Sequence, residues 1–473
     1  MNVAIVHYHF ERGGVTRVVS STIAAFADDP TYQFGLLSGR PVSDLSAPAS
    51  VIPGLDYTPS SEAGPDPDDL HREVVREARK LFGGNEPDVW HIHNPALGKN
   101  TAFCGLVYRL AREGRALLLH EHDFAEDFRP RNYFLRESTR EADAAPFPFS
   151  SRVHFGVING RDGELLARAG LPEDCRVPLP NPVPAAASVS PPCPDSNLIL
   201  YPVRALARKN LGEFLLLSYA SGDELRWEST LPPTNPSYQS QFKAWTDLAQ
   251  NLSLPARLGV SSFDNQSFEN RLASARAIVT TSVAEGFGLS FLEPWTHNRP
   301  VMGRDLPEIT RDFRALGISF ENLYDNLPIP STAVDLDEVS SVWLEAVQSA
   351  YRNFDTAIPQ DSLKEIAEKI RASSRIDFAL LSEELQMQAL KNIVKRSLPI
   401  TAPVPIPDPQ STQIKVNREK ILSAFAPAEY ASKLRTAYTR LADAAPGSLS
   451  QVDPQKILRA FLDPSRFHPH FAG

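Results

Sequence analysis

Between residues 284 and 295 the chain reads AEGFGLSFLEPW, with Glu285 and Glu293 eight positions apart. Gly286, Phe287, Gly288 and Leu289 lie between an apolar run at 277–281 and an amphipathic pattern at 289–296. The pattern predicts that a buried parallel strand gives way here to a helix N-terminus. Unpaired amides and the helix dipole favour an anion at such a point, usually a phosphate. Open α/β sheets take ligands at this edge, and glycine lets a ligand come close to the backbone. Glu285, in the loop, is suited to accept hydrogen bonds from sugar hydroxyls. Glu293, about one turn into the helix, is suited to grip a second diol such as a ribose. An ordinary strand–turn–helix with two solvated glutamates is the plainer reading of the spacing taken alone.

A second segment, YPVRALARKNLGEF at 201–214, places Arg204 and Lys209 five positions apart in the loop after another strand. Two cations at the mouth of an anion-binding crevice would hold a diphosphate and stabilise it as it departs; Arg208 reads as their solvated neighbour. In a third segment, HFERGGVTRVV at 9–19, Gly13 and Gly14 fall between the first strand and the first helix. Without the G-x-G-x-x-G spacing this is a weak dinucleotide signal. It fits a loop that comes close to a ligand, or a plain turn.

The elements that must position these residues alternate. Strand patterns at 3–7, 33–37, 88–93, 116–122, 153–158 and 175–180 are interleaved with helical ones at 15–26, 69–82 and 101–112. Such alternation argues for an α/β chain with doubly wound parallel sheets. PNPVPAAASVSPPCP at 180–194 breaks the series, since proline disrupts both helices and central strands. A second alternating series runs from 197 to about 316, and helical patterns follow at 337–353, 363–373 and 378–395. PITAPVPIPDP at 399–409 reads as an extended linker, and a tail follows with helical patterns at 416–425, 428–441 and 457–462. The expected organisation is one Rossmann-like domain at 1–185 and a second at 195–375, then a helix at 376–398, with 399–473 as a Pro-rich linker and helical extension.

Composition sets the outer limits. With 473 residues, 42% of them hydrophobic, the chain can bury sizeable cores. Lys and Arg number 48 against 57 Asp and Glu, so the net charge is −9, which counts against a nucleic-acid partner. Three widely spaced cysteines, Cys104, Cys175 and Cys193, suit a reducing, cytoplasmic setting. No signal peptide and no apolar stretch long enough to span a membrane is expected.

Taken together, the three motifs resemble glycosyltransferases of family 4, which have the GT-B fold of two Rossmann-like domains facing a cleft. The resemblance covers about residues 1–397. It implies that 1–185 is the acceptor-side domain, that 195–375 is the nucleotide-sugar-binding domain, and that the helix at 376–398 crosses back to the first domain. The segment from Glu285 to Glu293 is similar to that family's Glu-x7-Glu motif, which implies that Glu285 contacts the donor sugar and Glu293 the ribose. Arg204 and Lys209 resemble its Arg-x4-Lys pair for the donor diphosphate, and Gly13-Gly14 its amino-terminal loop. LPNPV at 179–183 is similar to the entry into the interdomain linker, and RPVMGRDLPEIT at 299–310 to the stretch after the second glutamate. The sequence departs from the pattern at Asn210, where glycine is frequent, and at Pro294-Trp295, where Glu-Ala is frequent.

His91 and His93, and likewise His120 and His122, alternate on strands, so each pair shares a face. The resemblance makes His122 a catalytic histidine near the donor sugar. His93, Asn94, Asp123 and Arg129 are acceptor-side candidates, with Arg131 beside them; a solvated loop is the plainer reading of the arginines. The implied reaction is a retaining hexosyl transfer from a nucleotide-diphospho-sugar to an acceptor hydroxyl. Catalytic roles fall to Arg204, Lys209, Glu285 and His122. Donor binding falls to Gly13, Gly14, Gly286, Phe287, Gly288, Leu289 and Glu293. The nucleotide-sugar is a co-substrate; no other cofactor and no metal is expected. A small soluble acceptor is preferred over a glycan or lipid-linked one, and the tail is a candidate for self-association. Two rivals remain: a metal-dependent hydrolase using His91, His93, His120, His122 and Asp123, and a non-catalytic sugar-nucleotide-binding protein.

Overall fold

The structure is a computed structural model and describes all residues except 60–63, 140–145, 187–190, 192–195, 263–265, 401–403 and 472–473. Much of the Pro-rich joint, Cys193 and residues 401–403 of the 399–409 linker therefore lie outside the described residues. The chain divides into two units, Met1–Pro184 with Phe425–Asp463, and Ala185–Ala424 with Pro464–Gly473.

Unit 1 carries strands β1 (Asn2–His7), β2 (Gln33–Ser38), β3 (Ala49–Val51), β4 (Val89–His93), β5 (Leu117–Glu121), β6 (Val153–Val157) and β7 (Arg176–Pro178). They form one parallel sheet in the order β3-β2-β1-β4-β5-β6-β7. Its helices are α1 (Gly14–Ala25), α2 (Pro67–Leu81), α3 (Phe103–Arg112), α4 (Pro130–Thr139) and α5 (Gly160–Arg168). Successive residues of a strand point to opposite faces. Val3 and Ile5 accordingly join one apolar core and Ala4 and Val6 the other. Each buried valine or isoleucine side chain here is worth roughly 1.5–3 kcal/mol. Helix α2 starts at Pro67, two residues earlier than the apolar pattern implies, because Asp66 caps it by accepting from the amides of Asp68 and Asp69.

Unit 2 repeats the plan with β8 (Leu198–Arg204), β9 (Arg226–Leu231), β10 (Ala256–Arg257), β11 (Ala277–Thr280), β12 (Val301–Arg304) and β13 (Leu323–Tyr324). The order is β10-β9-β8-β11-β12-β13, again parallel throughout. The helices are α6 (Leu211–Ala220), α7 (Gln239–Asn251), α8 (Phe268–Ser274), α9 (Leu289–Thr296), α10 (Pro307–Ala315), α11 (Leu336–Arg352), α12 (Gln360–Arg371), α13 (Glu383–Lys395) and α14 (Thr412–Ala424). The strand expected near 257–261 is only two residues long, because Gly259 turns the chain at φ +65°. The helix expected from 378 starts at Glu383, where Ser382 caps it by accepting from Leu385 N.

The carboxyl-terminal third departs most from expectation. Helix α13 does not leave unit 2; it packs on α6. The segment that returns to unit 1 is Phe425–Asp463, carrying α15 (Pro427–Asp443) and α16 (Pro454–Phe461). Tyr430, Ala431, Leu434, Tyr438 and Leu441 of α15 complete the core that holds Val3 and Ile5. Helix α16 packs on α5, and α14 packs on α9 within unit 2. The last residues, from Pro464, rejoin unit 2. The tail is thus part of both cores rather than an appended module. No helix among the described residues is long and apolar enough to cross a membrane.

Candidate functional site

In a doubly wound sheet, a crevice opens where successive crossovers leave in opposite directions. In unit 2 that point lies between β8 and β11, so the loops at 205–210 and 281–288 bound it. Arg204 ends β8 and is exposed. The next turn is stitched to the facing loop. Tyr201 donates its hydroxyl to Lys209 O at 3.0 Å, Thr281 Oγ1 donates to the same oxygen at 2.9 Å, and Val283 N donates to Arg208 O at 2.9 Å. Tyr201 Oη also lies 2.9 Å from Ser282 Oγ.

This stitching brings Lys209 Nζ to 2.5 Å from Glu285 Oε1, with each side chain 12% exposed. Burial alone would push the Glu285 carboxyl up. The Lys209 ammonium, with help from Arg208 and a hydrogen bond from Ser282, outweighs burial and holds it below the usual carboxylate range. From the sequence, Lys209 and Glu285 had separate tasks, phosphate and sugar; the fold joins them as one ion pair.

Asn210, the departure from the frequent glycine, has φ +50°. Glycine reaches that left-handed region most easily, and asparagine is among the few others that visit it. Its side-chain oxygen also caps α6 by accepting from Glu213 N. Gly288 has φ +90°, and a Cβ there would meet Ile309 Cγ2 at 2.8 Å, so glycine is required at the start of α9. Phe287 is buried edge-on against Phe313, their ring centroids 5.6 Å apart, which anchors the loop by its side chain. Glu293 is half-buried, one turn into α9. The other departures, Pro294 and Trp295, point inward, and the Trp295 indole donates to Phe291 O at 2.9 Å.

Beneath this edge lies a buried polar network that no local motif announced. Arg304 grips Glu213 through two hydrogen bonds of 2.8 and 2.7 Å and Asp377 through two of 2.7 and 3.0 Å. Tyr324 donates to Glu213 Oε1 at 2.7 Å. Gln386 of α13 donates to Asn210 Oδ1 at 2.9 Å and lies 3.1 Å from His470 Nε2. The final turn of the chain, Pro469–Phe471, packs against the turn that carries Lys209.

In unit 1 the equivalent point lies between β1 and β4. Gly13 has extended backbone (φ −176°), and a Cβ on Gly14 would meet nothing within 4 Å. Neither glycine is demanded by the fold. Asn94, at φ +51°, accepts from His122 N at 2.7 Å and Asp123 N at 3.2 Å, tying the end of β4 to the loop after β5. Asp123 pairs with Arg129 at 2.5 Å.

His91, His93, His120 and His122 all lie on the sheet face that α15 covers, so the two pairs form one layer. His91 Nδ1 lies 2.8 Å from Tyr438 Oη and its Nε2 3.1 Å from His120 Nδ1, while His93 Nδ1 lies 2.9 Å from His122 Nε2. Burial pushes His91 and His122 down to about 3, and His93 and His120 well down, so the rings are neutral at physiological pH. The ring nitrogens of His91, His93 and His120 approach within 4.8 Å, the one metal-ligand grouping among the described residues. All three side chains are fully buried. A catalytic metal keeps a position open to water or substrate, which this enclosed layer does not offer. Asp123 stands apart from it, half exposed and paired with Arg129. Of the four, His122 is the least buried, at 9% exposure.

No family model matches the chain. A curated protein, mannosylglucosyl-3-phosphoglycerate synthase of Petrotoga mobilis, is 23% identical over 414 residues, covering 81% of this chain and 80% of that one. Among solved structures, HepE from Anabaena in complex with UDP has a TM-score of 0.54 at 12% identity, covering 93% of this chain and all of that one. Sucrose-phosphate synthase from Thermosynechococcus elongatus has a TM-score of 0.53 at 14% identity, covering 94% of this chain and all of that one. The fold, two Rossmann-like parallel units, is that of the GT-B glycosyltransferases.

Proposed function

We propose that the chain is a retaining glycosyltransferase of the family 4 type, moving a hexose from a nucleotide-diphospho-sugar to a hydroxyl of a small acceptor. The observation that carries this reading is the Lys209–Glu285 ion pair at the β8/β11 switch point, with Arg204 exposed at the end of β8. Unit 2 takes the donor. Arg204, Lys209 and the first amides of α9 hold the diphosphate, Glu285 accepts from a sugar hydroxyl, and Glu293 accepts from the ribose. In the transfer, the bond from the anomeric carbon to the phosphate oxygen breaks and a bond to the acceptor oxygen forms on the same face. The acceptor proton passes to a phosphate oxygen of the departing diphosphate, whose growing charge Arg204 and Lys209 stabilise. The acceptor side is assigned to unit 1, where neutral His122 can hydrogen-bond a hydroxyl. A hexose is favoured by the name of the Petrotoga relative, a synthase of a mannosylglucosyl compound. A cytoplasmic setting belongs to the same reading.

The test is a thermal-shift panel of UDP, GDP, ADP and their sugars. A ligand at 100 times its Kd stabilises by about 2.7 kcal/mol, so the right base and sugar both register. If no nucleoside diphosphate binds, the reading fails. Binding without turnover on any acceptor would instead favour a sugar-nucleotide-binding protein.

A further inference from the structure

The switch-point edge of unit 1 carries a cation that the donor chemistry on unit 2 does not use. The loop after β4 leaves from Asn94 and delivers Lys99, whose carbonyl accepts from Thr58 N at 2.9 Å. Lys99 Nζ stands 5.3 Å from the centroid of the Tyr57 ring, and the Arg40 guanidinium stands 5.8 Å from the same ring. Arg40 is neutralised by Asp56 at 2.7 Å and Glu11 at 2.9 Å. Arg129 is neutralised by Asp123.

Lys99 differs from both. It forms no ion pair among the described residues, although it is only half exposed. Burial and the nearby Arg129 and Arg131 guanidinium groups hold its ammonium below the ordinary lysine range, and the opposing pull of Asp123 is the smallest of these effects. A partly buried ammonium with no carboxylate partner is unfavourable in the free protein. An anion bound at this edge relieves that cost, and perturbed groups at a ligand edge are functional candidates for this reason.

We propose that the unit 1 edge binds the acceptor and that Lys99 receives an anionic group on it, a phosphate or a carboxylate. The acceptor is then an acidic hydroxyl compound rather than a neutral sugar. This rests on the assignment of the acceptor to unit 1 and adds its substrate class and anchoring residue.

The test is isothermal titration of the full chain with glucose 6-phosphate, glucuronate, glucose and inorganic phosphate, each with saturating nucleoside diphosphate present to fill the Arg204 and Lys209 edge. The wild type is expected to bind glucose 6-phosphate or glucuronate at least tenfold more tightly than glucose, and which of the two wins identifies the anion. Lys99→Met, which keeps the stem and removes the charge, should abolish that preference, and Lys99→Arg should retain it. Nucleoside diphosphate affinity should stay within twofold in both variants. Equal binding of charged and neutral sugars by the wild type, or a preference that survives Lys99→Met, overturns the proposal. A generic anion site would bind inorganic phosphate as tightly as glucose 6-phosphate, which also overturns it. A chain that binds no nucleoside diphosphate refutes the donor reading, while the comparison of Lys99→Met with wild type still decides the anion site.

Discussion

Replacing Lys209 with methionine removes a charge and keeps most of the side-chain packing. Its partner, Glu285, then remains 12% exposed with the cation gone. Removing one member of a buried ion pair costs about 3–5 kcal/mol; partial exposure places this pair at the lower end, about 3 kcal/mol. For a unit of this size each kcal/mol shifts Tm by roughly 2–4 °C, so a fall of about 6–12 °C is expected. Turnover should fall by about 10²–10³, the usual effect of removing one preorganised charge-stabilising donor. The pH dependence should change sign. In the wild type Glu285 is held below its ordinary value, so it contributes stability above about pH 4.3 that is lost as pH falls through its depressed value. Without Lys209, burial becomes the dominant influence and pushes the carboxyl up. The folded variant then holds the proton that the unfolded chain releases, and stability declines as pH rises above about 4.3. The double variant Lys209→Met/Glu285→Gln removes both charges and should regain most of the stability and none of the turnover. Thermal unfolding from pH 4 to 8, with nucleoside diphosphate release as the activity assay, reads all three. Recovery of turnover in the double variant would show that Lys209 serves only to neutralise Glu285, and the catalytic argument would fail.

Two further outcomes follow from backbone geometry. Gly14→Ala places a methyl group in open space, so stability should stay within about 0.5 kcal/mol while kcat/KM falls; unchanged kinetics would leave the Gly13-Gly14 loop as a plain turn. At Asn210, held at φ +50°, Asn210→Gly should lose about 1 kcal/mol with its hydrogen bonds, and Asn210→Ala about 1–2 kcal/mol more for the strained left-handed backbone. Equal Tm values for the two would contradict that ordering.

The parallel sheets were legible because their central strands, such as β1, β4, β5, β8 and β11, are short apolar runs bounded by turn residues, and that signal is local; the edge strand β3 (ASV) carries no such run. Glu285, Lys209 and Arg204 were legible as residue types at a strand-to-helix turn for the same reason. Helix α5 escaped notice because nine residues with glycines at 160 and 163 carry too little periodicity, and its start depends on Asn159 accepting from Asp162 N. Asn210 stands where glycine is frequent after the lysine, and only the backbone angle shows that asparagine meets the same conformational demand and adds a cap.

By itself, the amino-acid order determined the alternation of strands and helices, the Pro-rich break at 180–194 and which residue types stand at each strand-to-helix turn. Tertiary structure alone decided the rest, because those contacts join residues far apart in the chain. It paired Lys209 with Glu285 across 76 positions and His91 with Tyr438 across 347. It also sent α15 back to cover β4 and β5, since the apolar stripe of an amphipathic helix shows that a face will be buried but not which face it will meet.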